Sequence, residues 1–351
     1  MPAKKKAKKK MGVGQKILMV FLILVILVSV VAVGAVAYLT YISGQINHNE
    51  LDKNDLGISR PESQIVDDKN DTSITNIALF GVDQRNDQTQ VHSDAIIVAT
   101  VDKLHNKIKL SSIMRDCLVN VEGYGQKKMT EAYFYGGPQL AVKTINQNFG
   151  LNISEYVTVN FEELANIIDA VGGIDVDITE EERLAANGSI KEQSVIAGLP
   201  EDYIQQSGLQ NLSGTQAVAF ARIRKVGNET FGHDDFGRTG RQRYVLMKLF
   251  EKAKSMSPLQ YPGFVQQFLP TVETSLDMNE ILNLGSIMLR NVTFEDVRFP
   301  LNEDLIGNGE IRINGISYVN LDLDKTGEHL RQFIYDDINP TAPVSSEEGA
   351  E

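Results

Sequence analysis

An uncharged apolar run at residues 17–41 constrains this chain more than any other feature of its sequence. A helix of this length is about 37 Å long, which is enough to cross the ~30 Å hydrocarbon core of a bilayer. The run is longer than the apolar part of a signal peptide, and no small-residue cleavage site followed by a polar start ends it. The pattern predicts a retained signal anchor that crosses the membrane once.

Charged residues flank this run asymmetrically. Residues 1–16 contain seven lysines and no acid, whereas the segment after the run is acidic. Because basic flanks stay on the cytoplasmic side, residues 1–16 are predicted to form a basic cytoplasmic tail, with the bulk of the chain outside the cell. The formal net charge is −12, and without the seven lysines the remainder carries −19. An ectodomain this acidic argues against nucleic-acid binding.

The rest of the chain divides by composition. Residues 42–72 are polar and acidic and are predicted to be a flexible tether. Residues 339–351 have a similar composition and are predicted to be a disordered tail. Between them we expect a main domain at residues 73–256 and a C-terminal α/β portion at residues 257–338 that packs on the domain or extends it. The single cysteine, Cys117, excludes an intramolecular disulfide.

Strand-like and helix-like runs alternate through the main domain. The predicted strands cover residues 74–80, 95–101, 107–114, 155–160 and 174–178. The predicted helices cover residues 138–149 and 161–170. Two more open near Ser213 and near Asp235 or Thr239. Residues 180–206 are polar and irregular and are predicted to be a surface insertion. This order predicts an α/β fold with a mixed central β-sheet flanked by helices, preceded by the membrane helix.

Two aspartates stand at the ends of the first two predicted strands. Asp83 follows the first strand and Asp94 opens the second. If these strands pair as a hairpin, the two carboxylates meet at one edge of the sheet, where α/β proteins place their ligands. Carboxylate oxygens suit Mg²⁺, which also takes water and phosphate oxygens. Simple turn or cap roles for both residues are the alternative interpretation.

Basic side chains cluster in residues 219–243, against the acidic background of the chain. The cluster comprises Arg222, Arg224, Lys225, Arg238, Arg241 and Arg243. Arginine binds phosphate bidentately, and the N-terminal turn of a helix adds to the attraction for an anion. The cluster therefore predicts an anion site on two helices joined by a loop. A solvated basic face with local Asp–Arg pairs is the alternative.

Eight motifs, in order from about residue 76 to residue 242, resemble those of the LytR–CpsA–Psr family. They are Gly81-x-Asp83-x-Arg85, Ser93-Asp94, Ser112-x-x-Arg115-Asp116, Lys128, Ala132-Tyr133-x-Tyr135-Gly136-Gly137, Asp169-x-x-Gly172-Gly173-x-Asp175-Val176, Ala219-x-Ala221-Arg222-x-Arg224, and Asp235-Phe236-x-Arg238-x-x-Arg241-Gln242. Members of this family are membrane-anchored phosphotransferases of Gram-positive cell walls. They move glycopolymers such as teichoic acid or capsule from an undecaprenyl-pyrophosphate carrier onto peptidoglycan.

The resemblance implies the same activity here, with residues 73–256 as the catalytic domain in a single-pass protein of the cell membrane. It implies three partners, namely an undecaprenyl-pyrophosphate-linked glycopolymer, peptidoglycan and the plasma membrane. It also implies Mg²⁺, or Mn²⁺ in its place, held by Asp83 and Asp94. The implied catalytic residues are Asp83, Asp94, Arg115, Arg222 and Arg224. The implied pyrophosphate-binding residues are Arg85, His92, Arg115, Lys128, Arg222, Arg224, Asp235, Arg238, Arg241 and Gln242.

One departure from the family pattern bears on substrate preference. His92 stands where the family usually has an arginine, and a neutral imidazole binds pyrophosphate less well than a guanidinium does. Two other functions stay open from the sequence. The first is a polyprenyl-pyrophosphate phosphatase, in which water replaces the acceptor sugar. The second is a non-enzymatic module that binds wall polymer and regulates envelope processes.

Overall fold

The computed structural model describes residues 40–341 except 42, 59–72, 84–89, 198–200, 229, 258–259, 261–262, 265 and 267–268. The chain forms two compact units, Met1–Gln45 and Ile46–Glu351. The predicted basic tail, residues 17–39 of the predicted anchor and most of the predicted C-terminal tail lie outside the described residues. Within the described part, no helix combines the length and the apolar character that crossing a membrane requires.

Thirteen strands lie among the described residues of the larger unit. They are β1 (Asn47–His48), β2 (Ile74–Val82), β3 (Ser93–Asp102), β4 (Lys107–Ile113), β5 (Leu118–Val121), β6 (Gly125–Lys128), β7 (Glu155–Asn160), β8 (Ile174–Ile178), β9 (Gly208–Leu212), β10 (Glu273–Thr274), β11 (Thr293–Phe299), β12 (Leu305–Ile313) and β13 (Ile316–Leu321). Seven form one mixed sheet in the order β1-β10-β7-β2-β3-β4-β11. The other six form three separate two-stranded sheets.

Seven α-helices accompany these strands in the described residues of the larger unit. They are α1 (Met129–Phe149), α2 (Phe161–Ala170), α3 (Glu180–Ala197), α4 (Gly214–Ala221), α5 (Asp234–Lys254), α6 (Met278–Gly285) and α7 (Leu323–Tyr335). Helix α1 is interrupted by non-helical backbone at Gly136 and Gly137. Glycine tolerates the positive φ of 60° at Gly137, which other residues rarely adopt.

The alternation of side chains along β2 and β3 divides the core between the two faces of the sheet. Phe80 and Val98 point to the face covered by α1 and α7. Ile97 points to the other face, where Leu246 of α5 packs. Because successive strand residues point to opposite faces, a run that is apolar throughout marks a strand covered on both sides. The predicted mixed sheet flanked by helices is therefore confirmed.

Residues 46–58 differ from the flexible tether predicted over residues 42–72. Strand β1 pairs with β10, and Leu51 and Leu56 are buried in the main core. The backbone carbonyl of Leu56 accepts a hydrogen bond of 2.9 Å from Asn146 on α1. Strand pairing, two buried leucines and this hydrogen bond together fix a segment whose overall composition is polar.

The region from residue 174 to residue 212 also differs from prediction. Helix α3 occupies most of the segment expected to be an irregular insertion. Strand β8 pairs with β9 in a sheet of its own and not with the central sheet. Beyond residue 256, β11 extends the central sheet by pairing with β4. The C-terminal portion therefore extends the main domain.

Candidate functional site

The β2–β3 hairpin brings its two aspartates to one edge of the sheet. The strands pair antiparallel, and a register shift between Gly81 and Val82 sets Val82 opposite Ser93. Asp83 and Asp94 adjoin this last pair, and both line one cavity of about 400 Å³. The cavity is lined by Asp83, Gln90, Val91, His92, Asp94, Arg115, Asp116, Lys128 and Thr130. The hairpin geometry on which the sequence interpretation depended is thus present.

One wall of the cavity is a chain of alternating charges. Arg115, just after β4, donates a hydrogen bond from Nη1 to Oδ1 of Asp94. Its Nε lies 3.7 Å from Oδ2 of Asp116. Lys128, at the end of β6, donates to Oδ1 of Asp116 over 2.8 Å. Each carboxylate is oriented by a cation, so the wall holds both charge signs in fixed positions.

Helix α4 delivers two arginines to the same end of the sheet. Ser213 and Gln216 form a capping box at the start of this helix. Arg222 is its C-cap residue, and its Nη2 lies 3.8 Å from Oδ2 of Asp83. The guanidinium carbon of Arg222 lies 4.5 Å from the centre of the Phe161 ring, which holds it by a cation–π contact. Arg222 is therefore oriented toward the paired aspartates.

Arg224, three residues beyond the end of α4, is more loosely held. Its side chain is 48% exposed, and its Nε lies 4.0 Å from Oδ1 of Asp235. Asp235 stands in the first turn of α5. Because this guanidinium is exposed and its ion-pair partner in the described part of the chain is 4.0 Å away, it is available to a ligand without the cost of breaking a buried pair.

Arg238 contributes the buried positive charge of the site. Its side chain is 3% exposed, and its Nη2 lies 2.8 Å from Oδ1 of Asp235. Burial lowers the pKa of Arg238 to about 10, and repulsion from Arg115 and Arg224 acts in the same direction against the attraction of Asp235 and Asp94. Its buried Nε has no acceptor among the described residues. An anion placed here would gain an unused donor and relieve the repulsion between the arginines.

The remaining predicted site residues fall into three groups. His92 is exposed and lines the cavity. Arg85 lies outside the described residues. Arg241 and Gln242 are buried on α5. Arg241 does not face the cavity, because Nε and Nη2 both bond Oε1 of Glu182 on α3, at 3.0 and 2.8 Å. The structure thus assigns Arg241 to the core, contrary to the sequence interpretation.

Sequence analysis gave no role to several residues that the structure brings to the site. Asp116 was part of a motif, but its pairing with Lys128 depends on the β5–β6 hairpin, which no apolar pattern marked. Thr130 donates from Oγ1 to the carbonyl of Ser93 over 2.8 Å and so joins α1 to the start of β3. Phe161 holds Arg222 from the start of α2. The sequence marked Phe161 only as an aromatic residue directly after a predicted strand.

This arrangement suits a polyanion together with a hard cation. The cavity carries two carboxylates from adjacent strand ends and is lined by Arg115. Arg222 lies beside Asp83, and Arg238 is close enough to interact electrostatically with Asp94 and Arg115. Carboxylate oxygens are the donors that Mg²⁺ and Mn²⁺ prefer. Guanidinium groups bind phosphate oxygens. The donor set of Asp83 and Asp94 therefore fits a divalent cation beside a bound phosphate group.

Comparison with known proteins agrees with this chemistry. The model of the LytR_cpsA_psr family matches residues 38–332. Polyisoprenyl-teichoic acid--peptidoglycan teichoic acid transferase TagU of Oceanobacillus iheyensis is 33% identical over 253 residues, which cover 69% of this chain and 70% of that protein. TagU of Bacillus cereus is 31% identical over 251 residues, which cover 69% of this chain and 72% of that protein.

Solved structures share the fold. TagT bound to LI-WTA superposes with a TM-score of 0.63 at 22% identity, covering 82% of this chain and 99% of that one. The family protein YwtF (TagT) with bound octaprenyl pyrophosphate lipid has a TM-score of 0.60 at 22% identity, with the same coverage. Bacillus subtilis TagV has a TM-score of 0.57 at 26% identity, covering 77% of this chain and 100% of that one.

Proposed function

The chain belongs to the LytR_cpsA_psr family, and we propose that it is a phosphotransferase that moves a glycopolymer from a polyprenyl-diphosphate carrier onto peptidoglycan. The TagU relatives are named for this type of transfer. The proposed carrier is undecaprenyl pyrophosphate, and the proposed polymer is of the teichoic acid or capsular type. The proposed location is the cell membrane, with the N-terminus in the cytoplasm and the catalytic domain outside. The lysine-flanked apolar run supports that orientation.

One observation carries the proposal: cations from distant segments converge on the Asp83–Asp94 edge of the sheet. Arg222 approaches Asp83, and Arg115 binds Asp94. Arg238 is buried beside them, with its charge only partly compensated. A diphosphate needs such positive charge around it, because negative charge grows on the leaving phosphate as its bond breaks.

The proposed reaction is a displacement at one phosphorus. A sugar hydroxyl of peptidoglycan, for which family resemblance implies the C6 hydroxyl of N-acetylmuramic acid, attacks the phosphorus that carries the glycopolymer. A new P–O bond forms as the bond to the bridging oxygen breaks, and polyprenyl monophosphate leaves with the bonding electrons. The hydroxyl proton passes to a carboxylate of the cavity, for which Asp83 and Asp94 are the candidates. The product is a phosphodiester between glycopolymer and peptidoglycan.

We further propose that Asp83 and Asp94 hold Mg²⁺, with Mn²⁺ as a substitute. When bound, the ion would neutralise charge on the diphosphate during cleavage. Arg115 has a separate task, since its hydrogen bond to Oδ1 of Asp94 fixes the orientation of that carboxylate. Arg222 lies on the Asp83 side and is placed to bind phosphate oxygens there.

A transfer assay on the full chain in phospholipid vesicles tests the proposal. With a labelled polyprenyl-diphosphate-linked saccharide and peptidoglycan, we expect Asp83→Asn and Arg224→Ala to lower the transfer rate at least about 100-fold. The matched control is Arg290→Ala, because the Arg290 guanidinium binds the carbonyl of Lys103 at the opposite end of the sheet. This variant should transfer normally.

Thermal unfolding of each variant separates lost chemistry from lost folding. Normal transfer by a folded Asp83→Asn or Arg224→Ala protein would contradict the proposal. Omission of peptidoglycan distinguishes the phosphatase alternative, because a transferase leaves the label on the lipid whereas a phosphatase releases it into water. Tight donor binding with no turnover under any condition would favour the non-enzymatic alternative.

A further inference from the structure

Four aromatic rings form a continuous ledge that runs from the cavity to the protein surface. His92, which lines the cavity, stacks on Phe134 with 4.7 Å between ring centroids and 11° between planes. Phe134 meets the ring of Tyr135 edge-on at 5.6 Å. Tyr135 stacks on Tyr124 at 4.2 Å, with 6° between planes. Tyr124 ends the ledge with 47% of its surface exposed.

The outer part of this ledge is held rigidly by its surroundings. The Tyr135 hydroxyl donates to Oε1 of Glu131 over 3.1 Å, and Oε2 of Glu131 accepts from the Lys128 amide over 2.9 Å. Tyr124 lies in the β5–β6 turn between Gly123 and Gly125, whose φ values of 79° and 73° favour glycine. A platform ordered in this way loses little conformational entropy when a ligand binds.

The chemistry of the ledge matches a saccharide that carries carboxylates. Aromatic faces are electron-rich, so the C–H groups on one side of a pyranose ring pack favourably against them. Tyrosine adds a hydroxyl for hydrogen bonding. Lys127, whose Nζ lies 5.8 Å from the centre of the Tyr135 ring, adds positive charge. Because Tyr124 stacks on Tyr135, the ring face that the ledge offers is the outer face of Tyr124. The tyrosine hydroxyls and the Lys127 ammonium, which lies over the Tyr135 ring, supply polar groups beside it.

A single exposed tyrosine is ordinary on a protein surface. Tyr124 differs because its ring is the last of a row of contacting rings that begins at His92 in the cavity. A sugar on the ledge would have its neighbours along the same chain close to the bound diphosphate.

We propose that the ledge binds the glycan of the peptidoglycan acceptor, an inference that rests on the proposed transferase function. The donor sugar is joined covalently to the diphosphate, so binding at the arginines already localises it. The acceptor has no such link and requires a surface of its own. The acceptor is also an extended polymer, which approaches from outside and needs an exposed platform such as Tyr124. Its carboxylates, which lie on the stem peptides in the intact wall and on the lactyl groups in peptide-free strands, complement Lys127.

Calorimetric titration of the full chain with soluble, peptide-free peptidoglycan glycan strands tests the ledge without requiring turnover. We expect Tyr124→Ala to weaken glycan binding about threefold to tenfold, and Tyr124→Ala/Tyr135→Ala to weaken it further because the inner ring is then lost as well. Tyr124→Phe should retain most of the affinity. The matched control is Leu104→Ala, a 64% exposed apolar side chain in the β3–β4 turn at the opposite end of the sheet.

Two parallel titrations identify the occupant. A polyprenyl diphosphate without sugar should bind the wild-type and Tyr124→Ala proteins equally. If it bound neither protein, the transferase function would be contradicted, but the result for glycan binding would still stand. If the wild type and both alanine variants bound glycan equally, the proposal that the ledge binds glycan would be contradicted. If the alanine variants weakened the binding of a sugar-bearing polyprenyl diphosphate only, the ledge would bind the donor sugar. That result would overturn its assignment to the acceptor glycan.

Discussion

Arg238 and Arg241 stand three positions apart on α5 and yet serve different parts of the molecule. Arg238 pairs with Asp235 beside the candidate site. Arg241 is fully buried against Glu182, and its Nη2 also donates to the carbonyl of Val226 over 2.9 Å. Helical spacing correctly places both on neighbouring parts of one helix surface. Arg241 meets the buried carboxylate of Glu182 because α3 packs against α5 at this point. The polar sequence of residues 180–206 did not predict that a helix would pack there.

Arg241 is buried in the core and Arg224 is exposed at the candidate site, so substitution of Arg241 should lower stability and substitution of Arg224 should lower transfer. We expect Arg241→Met to lower the free energy of unfolding by about 3–5 kcal/mol, because it leaves the Glu182 charge buried and unpaired. The double variant Arg241→Met/Glu182→Gln should recover part of that loss, because it removes the buried charge and keeps an acceptor for Thr179 and Asn228. Arg224→Ala should change stability by less than about 1 kcal/mol, because the side chain is half exposed.

Urea unfolding measures all three variants. A stable Arg241→Met protein that has lost transfer would instead place Arg241 in the catalytic machinery.

At the scale of elements, the β2–β3 hairpin was the most predictable part of the site. Two apolar runs separated by a polar loop indicated adjacent strands, and the structure confirms their antiparallel pairing. The β5–β6 hairpin, which supplies Lys128 and Tyr124, was not predicted. Its strands have four residues each and little apolar character, so local periodicity could not mark them. The family motif therefore marked Lys128 as a site residue, but the hairpin that positions it was not predicted.

The opposite end of the sheet holds a buried charge network that attaches the C-terminal helix. Lys109 on β4 is fully buried, with Nζ 3.1 Å from Oδ2 of Asp102 and 2.9 Å from Oδ1 of Asp337, which follows α7. The ring Nδ1 of His105 lies 2.7 Å from Oδ2 of Asp102. These contacts join β3, β4 and the segment after α7.

This network predicts part of the acid sensitivity of the fold. Burial acts to raise the pKa of Asp102, but hydrogen bonds from His105 and Lys109 outweigh it and hold the pKa below its ordinary value of 3.8. A carboxyl whose pKa is lower in the folded state stabilises the fold above its unfolded pKa, and this contribution is lost as the pH falls through the folded value. Stability should therefore decline below about pH 4.

Asp102→Asn tests this assignment. We expect it to lower the free energy of unfolding at pH 7 by about 2 kcal/mol and to flatten the decline of stability between about pH 5 and pH 2. Chemical denaturation at a series of pH values measures both effects. Lys103→Ala, at the nearby exposed turn, is a suitable control because Lys103 binds Asn283 and not the network. An unchanged acid profile in Asp102→Asn would contradict the role given to this residue.

At the scale of the whole molecule, the central sheet unites segments that are distant in sequence. Strand β1 lies at one edge and β11 at the other, so the folded unit extends on both sides of the main domain expected at residues 73–256. Composition marked residues 42–72 as different, but it could not show which apolar residues among them find partners. Pairing between distant strands depends on tertiary packing, which local pattern does not encode.

The account as a whole depends on one claim, that Asp83, Asp94 and the converging arginines bind a polyprenyl-linked diphosphate. A crystal structure of the domain with a polyprenyl diphosphate and Mg²⁺ tests this most directly. We predict that the phosphate oxygens contact Arg222, Arg224 and Arg238, with the ion between the diphosphate and the two aspartates. A diphosphate bound elsewhere, with these arginines still paired only to Asp83 and Asp235, would contradict the claim.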